Sequence, residues 1–320
     1  FSLRIATPTL QNPVGSSIRP ARAYGIAKLT GEGFREIVQT HRAGLVRNGV
    51  RGRGEGVGLP GSPGSHVEVE DVALRFGHRP VFEDLNCAFP RGQISVIMGA
   101  SGAGKSTLLR LIGGLQRPDR GCVRVAGEEI AGRGDAALSG IRKQLGMLFQ
   151  NGALLDSMTI FENVALPLRE HENLAEEEVV RRVRDRLEAV GLPDVEDLLP
   201  RALSGGMLRR AALARAIVME PAIVLCDEPF SGLDPPNVSR IEALLRDLNR
   251  DLGLTLIVTS HHMASSLRMA DRIFLMRDRA CLSGTPMELA QSRDSEIVEF
   301  IGEDGAEYLA RYASAGEGGR

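Results

Sequence analysis

Residues 99–107 read Gly-Ala-Ser-Gly-Ala-Gly-Lys-Ser-Thr, a spacing of glycines, lysine and hydroxyl that builds a backbone cradle for a polyphosphate. Gly99, Gly102 and Gly104 let successive N–H groups turn inward, with Ala100, Ser101 and Ala103 between them. Lys105 is expected to reach the β- and γ-phosphates, Ser106 to ligate Mg2+, and Thr107 to complete the loop. Lysine occurs only at Lys28, Lys105 and Lys143, so one of three stands where a compact ammonium is needed.

A second set of polar residues follows apolar runs. Asp227-Glu228 ends Ile223-Val-Leu-Cys226; an aspartate there can hold Mg2+, and the adjacent glutamate can orient or deprotonate a water for in-line attack. Gln150 follows Gly146-Met-Leu-Phe149 and can touch Mg2+ or water and sense a γ-phosphate. His261 follows Leu256-Ile-Val-Thr-Ser260 and can donate to that phosphate. Ser204, Gly205 and Gly206 open a helix with N-cap chemistry, a second anion-binding start. One γ-phosphate needs a single cradle, so the second start makes sense if it covers the nucleotide of another copy. Taken singly, Gln150 reads as a surface residue, His261 as a satisfied histidine at a loop start and Ser204 as a plain helix start, and His262 has no role in this scheme.

The elements that must position these groups are legible from period and punctuation. Gln93–Met98 reads as a buried strand, followed by a helix with Leu108, Leu109, Leu111, Ile112 and Leu115 on one face. Val67–Val72 alternates as a half-exposed strand, and Cys122–Ala126 is a further one. Helices are expected over about 175–190 and 204–220, the second stopping before Pro221. Strands and helices then alternate: 222–226, 238–252, 255–259, 263–269 and 273–276. The pattern is α/β with a parallel sheet, interrupted by a mostly helical insertion over about 155–220.

At 43% hydrophobic and 25% charged, the composition is that of an ordinary globular chain, and a net charge of −2 gives no sign of nucleic-acid binding. Four cysteines without C-x-x-C spacing suit a reducing cytosol with neither disulfides nor zinc. No run of 18 apolar residues exists to span a bilayer. Residues 1–65 hold 12 of the 37 glycines, with nine basic against three acidic side chains. They read as a disordered extension outside the fold, with a basic arm for anionic lipid or an acidic partner as the functional alternative.

Gly99–Thr107, Gln150, Leu203–Met207, Ile223–Glu228, Ser231-Gly-Leu-Asp234 and His261 stand in the order of the Walker A motif, Q-loop, signature, Walker B motif, D-loop and switch histidine. Over about residues 66–302 the chain resembles an ABC-transporter ATP-binding subunit. The resemblance implies a P-loop NTPase cassette: a RecA-like core, an antiparallel β part and a helical subdomain, here followed by a short tail, 303–320. It further implies Mg2+ and two ATP molecules sandwiched in a head-to-tail homodimer, with Asp234 in the D-loop near the nucleotide. Phe76 stands where many members stack a tyrosine on adenine.

Phe149–His171 and Leu203–Ala216, with Met207 in place of the usual signature glutamine, are similar to the ATPases of Mla and Mce lipid-transport systems. That similarity implies a phospholipid cargo moved between bacterial membranes to maintain outer-membrane asymmetry. It also implies an integral-membrane permease, a lipid-binding protein, and a peripheral place on the cytoplasmic face of the inner membrane. Coupling to the permease is expected through residues 150–171, with Leu166 and Leu168 on its apolar surface. An importer of another small substrate is the alternative. A soluble ABC ATPase acting on nucleic acid or ribosomes fits less well, because the chain holds one cassette and no long coiled-coil insertion.

Overall fold

The structure, a computed structural model, describes residues 64–130, 135–277 and 279–317; the expectations for residues 1–63 lie outside them. Among the described residues ten strands form two sheets. The first joins β1 (Ser65–Phe76), β2 (Arg79–Pro90), β4 (Arg120–Val125) and β5 (Glu128–Glu129) in the antiparallel order β2-β1-β4-β5. The second comprises β3 (Ile94–Gly99), β6 (Leu145–Leu148), β7 (Ile223–Asp227), β8 (Thr255–Thr259), β9 (Arg272–Arg277) and β10 (Ala280–Gly284). Its order is β10-β9-β3-β8-β7-β6, parallel except where β10 turns back on β9.

Strands β3, β7 and β8 are buried along their whole length, as continuous apolar runs must be when both faces of a parallel sheet are covered. Alternate side chains divide between two cores. Ile97, Leu225, Ile257 and Phe274 pack with the antiparallel sheet and helix α1 (Lys105–Ile112). Val96, Val224, Leu256 and Leu275 pack with the helices of the opposite face.

Those helices begin with α3 (Ile160–His171), which follows α2 (Asp135–Lys143). Thr159 and Glu162 form a capping box at the start of α3, and buried Asn163 binds the backbone of Leu155, Met158 and Thr159. Next come α4 (Glu176–Ala189) and α5 (Gly205–Ile217). The chain continues through α6 (Pro235–Leu252), α7 (Met263–Met269), α8 (Pro286–Ala290) and α9 (Ser295–Glu317), the last interrupted at Gly302.

Three differences from the sequence reading have local causes. Helix α1 ends at Ile112 because Gly113 and Gly114 follow, Gly114 with φ 65°, so Leu115 lies outside the helix and is exposed rather than on its apolar face. Helix α5 stops at Ile217, ahead of a left-handed Glu220 with φ 52°. Leu168 belongs to the interior and not to the coupling surface: it faces the helical core and is fully buried, while Leu166 is half-buried.

Four adjacent parallel strands deliver their last or following residues to one edge of the sheet: β3 Gly99 and the loop after it, β8 His261, β7 Asp227 and Glu228, and β6 Gln150. That carboxyl edge is where open α/β sheets place ligands.

Candidate nucleotide-binding site

A cleft of about 880 Å3 opens at that edge. Its floor is the loop 99–107 and its walls carry Gln150, Glu228 and His261, with Phe76 from the end of β1 and Arg79 from the start of β2. The loop's shape is fixed by glycine. Gly99, Gly102 and Gly104 have φ of 149°, 81° and 98°. A Cβ on Gly104 would stand 2.7 Å from the Phe82 ring, and one on Gly99 would stand 2.5 Å from the Met276 carbonyl oxygen. Gly104 is also the N-cap of α1 and offers no side chain to the helix start. The first-turn N–H groups therefore remain for an anion, with the helix dipole behind them.

Lys105 folds over this cradle, its Nζ donating to the carbonyls of Gly99 at 2.9 Å and Ala100 at 3.3 Å. An incoming phosphate offers better acceptors for the same ammonium. Ser106 Oγ donates to Asp227 Oδ1 at 2.8 Å, and Thr259 Oγ1 donates to the same oxygen at 2.7 Å. Hydroxyl and carboxylate converge as a hard-oxygen pair beneath the phosphate loop, a donor set that fits Mg2+. Glu228 sits at φ 47°, its N–H donating to Thr259 Oγ1 at 2.9 Å. Its carboxylate is nearly buried and meets His261 Nδ1 at 2.7 Å. His262 packs edge-on against Phe230 with its ring centroid 4.7 Å from that of His261, and burial and then the charge of His261 lower its pKa. Phe76 is 51% exposed at the cleft mouth, an aromatic face open to a base.

Ser204, Gly205, Gly206 and Asp234 are not among the residues lining this cleft. They stand together elsewhere. Ser204 caps α5, Asp234 caps α6 through Asn237, and a Cβ on Gly206 would lie 2.6 Å from Asn237 Oδ1.

Sequence reading missed Thr259, which orients both Asp227 and Glu228, and three arginines in the cleft wall, Arg79, Arg277 and Arg279. The Gly77-His78 turn was a signal for the hairpin that presents Arg79. Arg279 is tied to Glu83 at 2.6 Å and Arg277 to Glu296, pairings that no local pattern announces.

Residues 82–231 match the family described as ABC transporter. The intermembrane phospholipid transport system ATP-binding protein MlaF of Haemophilus influenzae is 43% identical over 236 residues, 73% of this chain and 89% of that protein. The probable ribonucleotide transport ATP-binding protein mkl of Mycobacterium leprae is 37% identical over 235 residues, 73% of this chain and 68% of the relative. The chain belongs to the ABC transporter ATPase family.

Among solved ABC cassettes, the dimeric structure of a post-hydrolysis state of MJ0796, bound to ADP and Pi, superposes with a TM-score of 0.64 at 31% identity. It covers 69% of this chain and 98% of that cassette. As an ABC ATPase, this chain has the mixed α/β cassette fold, and no helix among the described residues is long and apolar enough to cross a membrane.

Proposed function

We propose that this chain is the ATP-hydrolysing subunit of a bacterial transporter that moves phospholipid between membranes, working as a homodimer beneath a permease and serving a lipid-binding protein. In this reading it is peripheral to the cytoplasmic face of the inner membrane. The observation that carries the mechanism is the separation of two half-sites in one chain. Residues of the 99–107 loop, Gln150, Glu228 and His261 line one cleft, with Asp227 bonded to Ser106 behind it, while Ser204, Gly205, Gly206 and Asp234 are not among its lining residues. Each half completes the other in a second, head-to-tail copy. Similarity to MlaF supports the cargo.

Loop 99–107 and Lys105 hold the triphosphate, and Phe76 covers the base. Ser106 and Asp227, with Gln150, would hold Mg2+, which would supply charge neutralisation for the triphosphate. Glu228 takes the proton of the attacking water, and His261 holds Glu228 in place and donates to the γ-phosphate. Most of the rate arises from such fixed charges and donors at the transferring group.

The test is reconstitution with the cognate permease in vesicles, with phospholipid transfer and phosphate release measured together. ATP-dependent phospholipid movement that stops in Glu228→Gln supports the proposal. Movement of ribonucleotide or another small solute, with no lipid transfer, overturns the cargo.

A further inference from the structure

Arg209 points from α5 into the interior, 7% exposed, and among the described residues it pairs with no carboxylate. Its guanidinium donates instead to three backbone carbonyls: Phe149 at 3.2 Å, Ser231 at 3.1 Å, and Gln150. A buried cation held only by carbonyls is costly unless each carbonyl stays where it is. Ser231 in turn donates its N–H to the Glu228 carbonyl at 3.1 Å. One arginine thus closes a chain of hydrogen bonds from Glu228 through Ser231 to Gln150, two side chains that line the same cleft.

The same helix grips the Gln150 loop again. Arg215 donates to Gly152 at 2.8 Å and Ala153 at 2.7 Å. Gly152 lies so close that a Cβ there would be 3.0 Å from Leu208 and 3.3 Å from Ala212. Arg210 faces elsewhere, donating to Val190 at 3.2 Å and Gly191 at 2.6 Å beyond the end of α4.

We propose that Arg209 is a positioning residue for hydrolysis: it locks the backbone of Gln150 to the Ser231–Asp234 turn, so that the phosphate sensor, the residue that activates water and the helix starting at Ser204 shift as one body. This rests on the roles given to Gln150 and Glu228 above. Arg209 does not line the cleft, so its loss acts on turnover and not on nucleotide binding.

The experiment compares Arg209→Gln, Arg209→Lys and Arg210→Gln in the full chain, with steady-state phosphate release, binding of a fluorescent ATP analogue and thermal melting. Arg209→Gln is expected to lower kcat about tenfold while KM and analogue affinity stay within about twofold. Arg209→Lys, which reaches fewer carbonyls, falls between it and wild type. Arg210→Gln loses two backbone-carbonyl bonds of its own and lowers the melting temperature, leaving kcat unchanged. A wild-type kcat in Arg209→Gln overturns the proposal, as does an equal loss in Arg210→Gln or a rise in KM matching the fall in kcat. Should Arg209→Gln not fold, Arg209→Lys is judged by the same criteria. Glu228→Gln, run alongside, separates the two layers. Undiminished turnover there defeats the hydrolytic reading itself, whereas abolished turnover there with normal Arg209→Gln defeats this inference alone.

Discussion

His261 Nδ1 and Glu228 Oε2 are 2.7 Å apart, so imidazole and carboxylate hold each other at the wall of the cleft. Glu228→Gln keeps the shape of that contact and removes the base. Turnover should fall by about 100-fold or more, with Mg-ATP still bound and a dimer accumulating. Phosphate release and light scattering on the same sample check this. Substantial residual turnover takes Glu228 out of the role.

Lys105 supplies the compact ammonium at the phosphate loop, and its present acceptors are carbonyls of that loop. Lys105→Ala should weaken ATP binding by about tenfold or more, the worth of one charged hydrogen bond. The fold should be undisturbed, because the side chain lies in the cleft. Titration calorimetry gives the affinity and circular dichroism the control.

Leu168 and Leu155 separate packing from coupling. Leu168 is fully buried and Leu155 is 44% exposed. Leu168→Ala should destabilise the chain by about 2–5 kcal/mol. Leu155→Ala should change stability by no more than about 0.5 kcal/mol yet reduce permease-stimulated ATPase. Urea melts and vesicle assays read the two effects. Unaltered stimulation in Leu155→Ala moves the coupling surface elsewhere.

His66 adds a pH dependence remote from the cleft. It is buried with Nδ1 at 2.6 Å from Thr255 Oγ1 and Nε2 unpaired, and burial, then the charge of Arg91, lowers its pKa from 6.5 to about 4. The unfolded chain takes up this proton near pH 6.5 and the folded chain resists until about 4. Stability is therefore full above pH 6.5 and falls as the pH drops from there toward 4, by on the order of 3 kcal/mol at the limit. His66→Gln should flatten that part of the profile in urea melts at pH 7 and pH 5. An unchanged slope assigns the loss to other groups.

The phosphate loop and its flanks were readable because three signals coincide there: an apolar run, glycines at fixed offsets, and a helical period. The strand ends at Asp227 and His261 were readable for the same reason. Strand β2 was not, since Glu83, Asp84 and Asn86 interrupt its alternation and its pairing with β1 shifts register repeatedly. Arg209 was hidden by its type. A guanidinium on a helix reads as a solvent face, and its acceptors lie about sixty residues back and about twenty ahead in sequence. Leu168 was misplaced because the apolar, proline-containing run was read as a surface, whereas α3 carries Pro167 within its length and places Leu168 in the helical core.

Four neighbouring parallel strands end at one edge of the sheet, so side chains far apart in sequence come within hydrogen-bond distance there, as His261 and Glu228 do. Helix α5 holds the backbone on the far side of that edge through Arg209 and Arg215, and opens at Ser204. A one-residue slip in the pairing of any of these strands would turn its terminal side chain to the opposite face and break up the set.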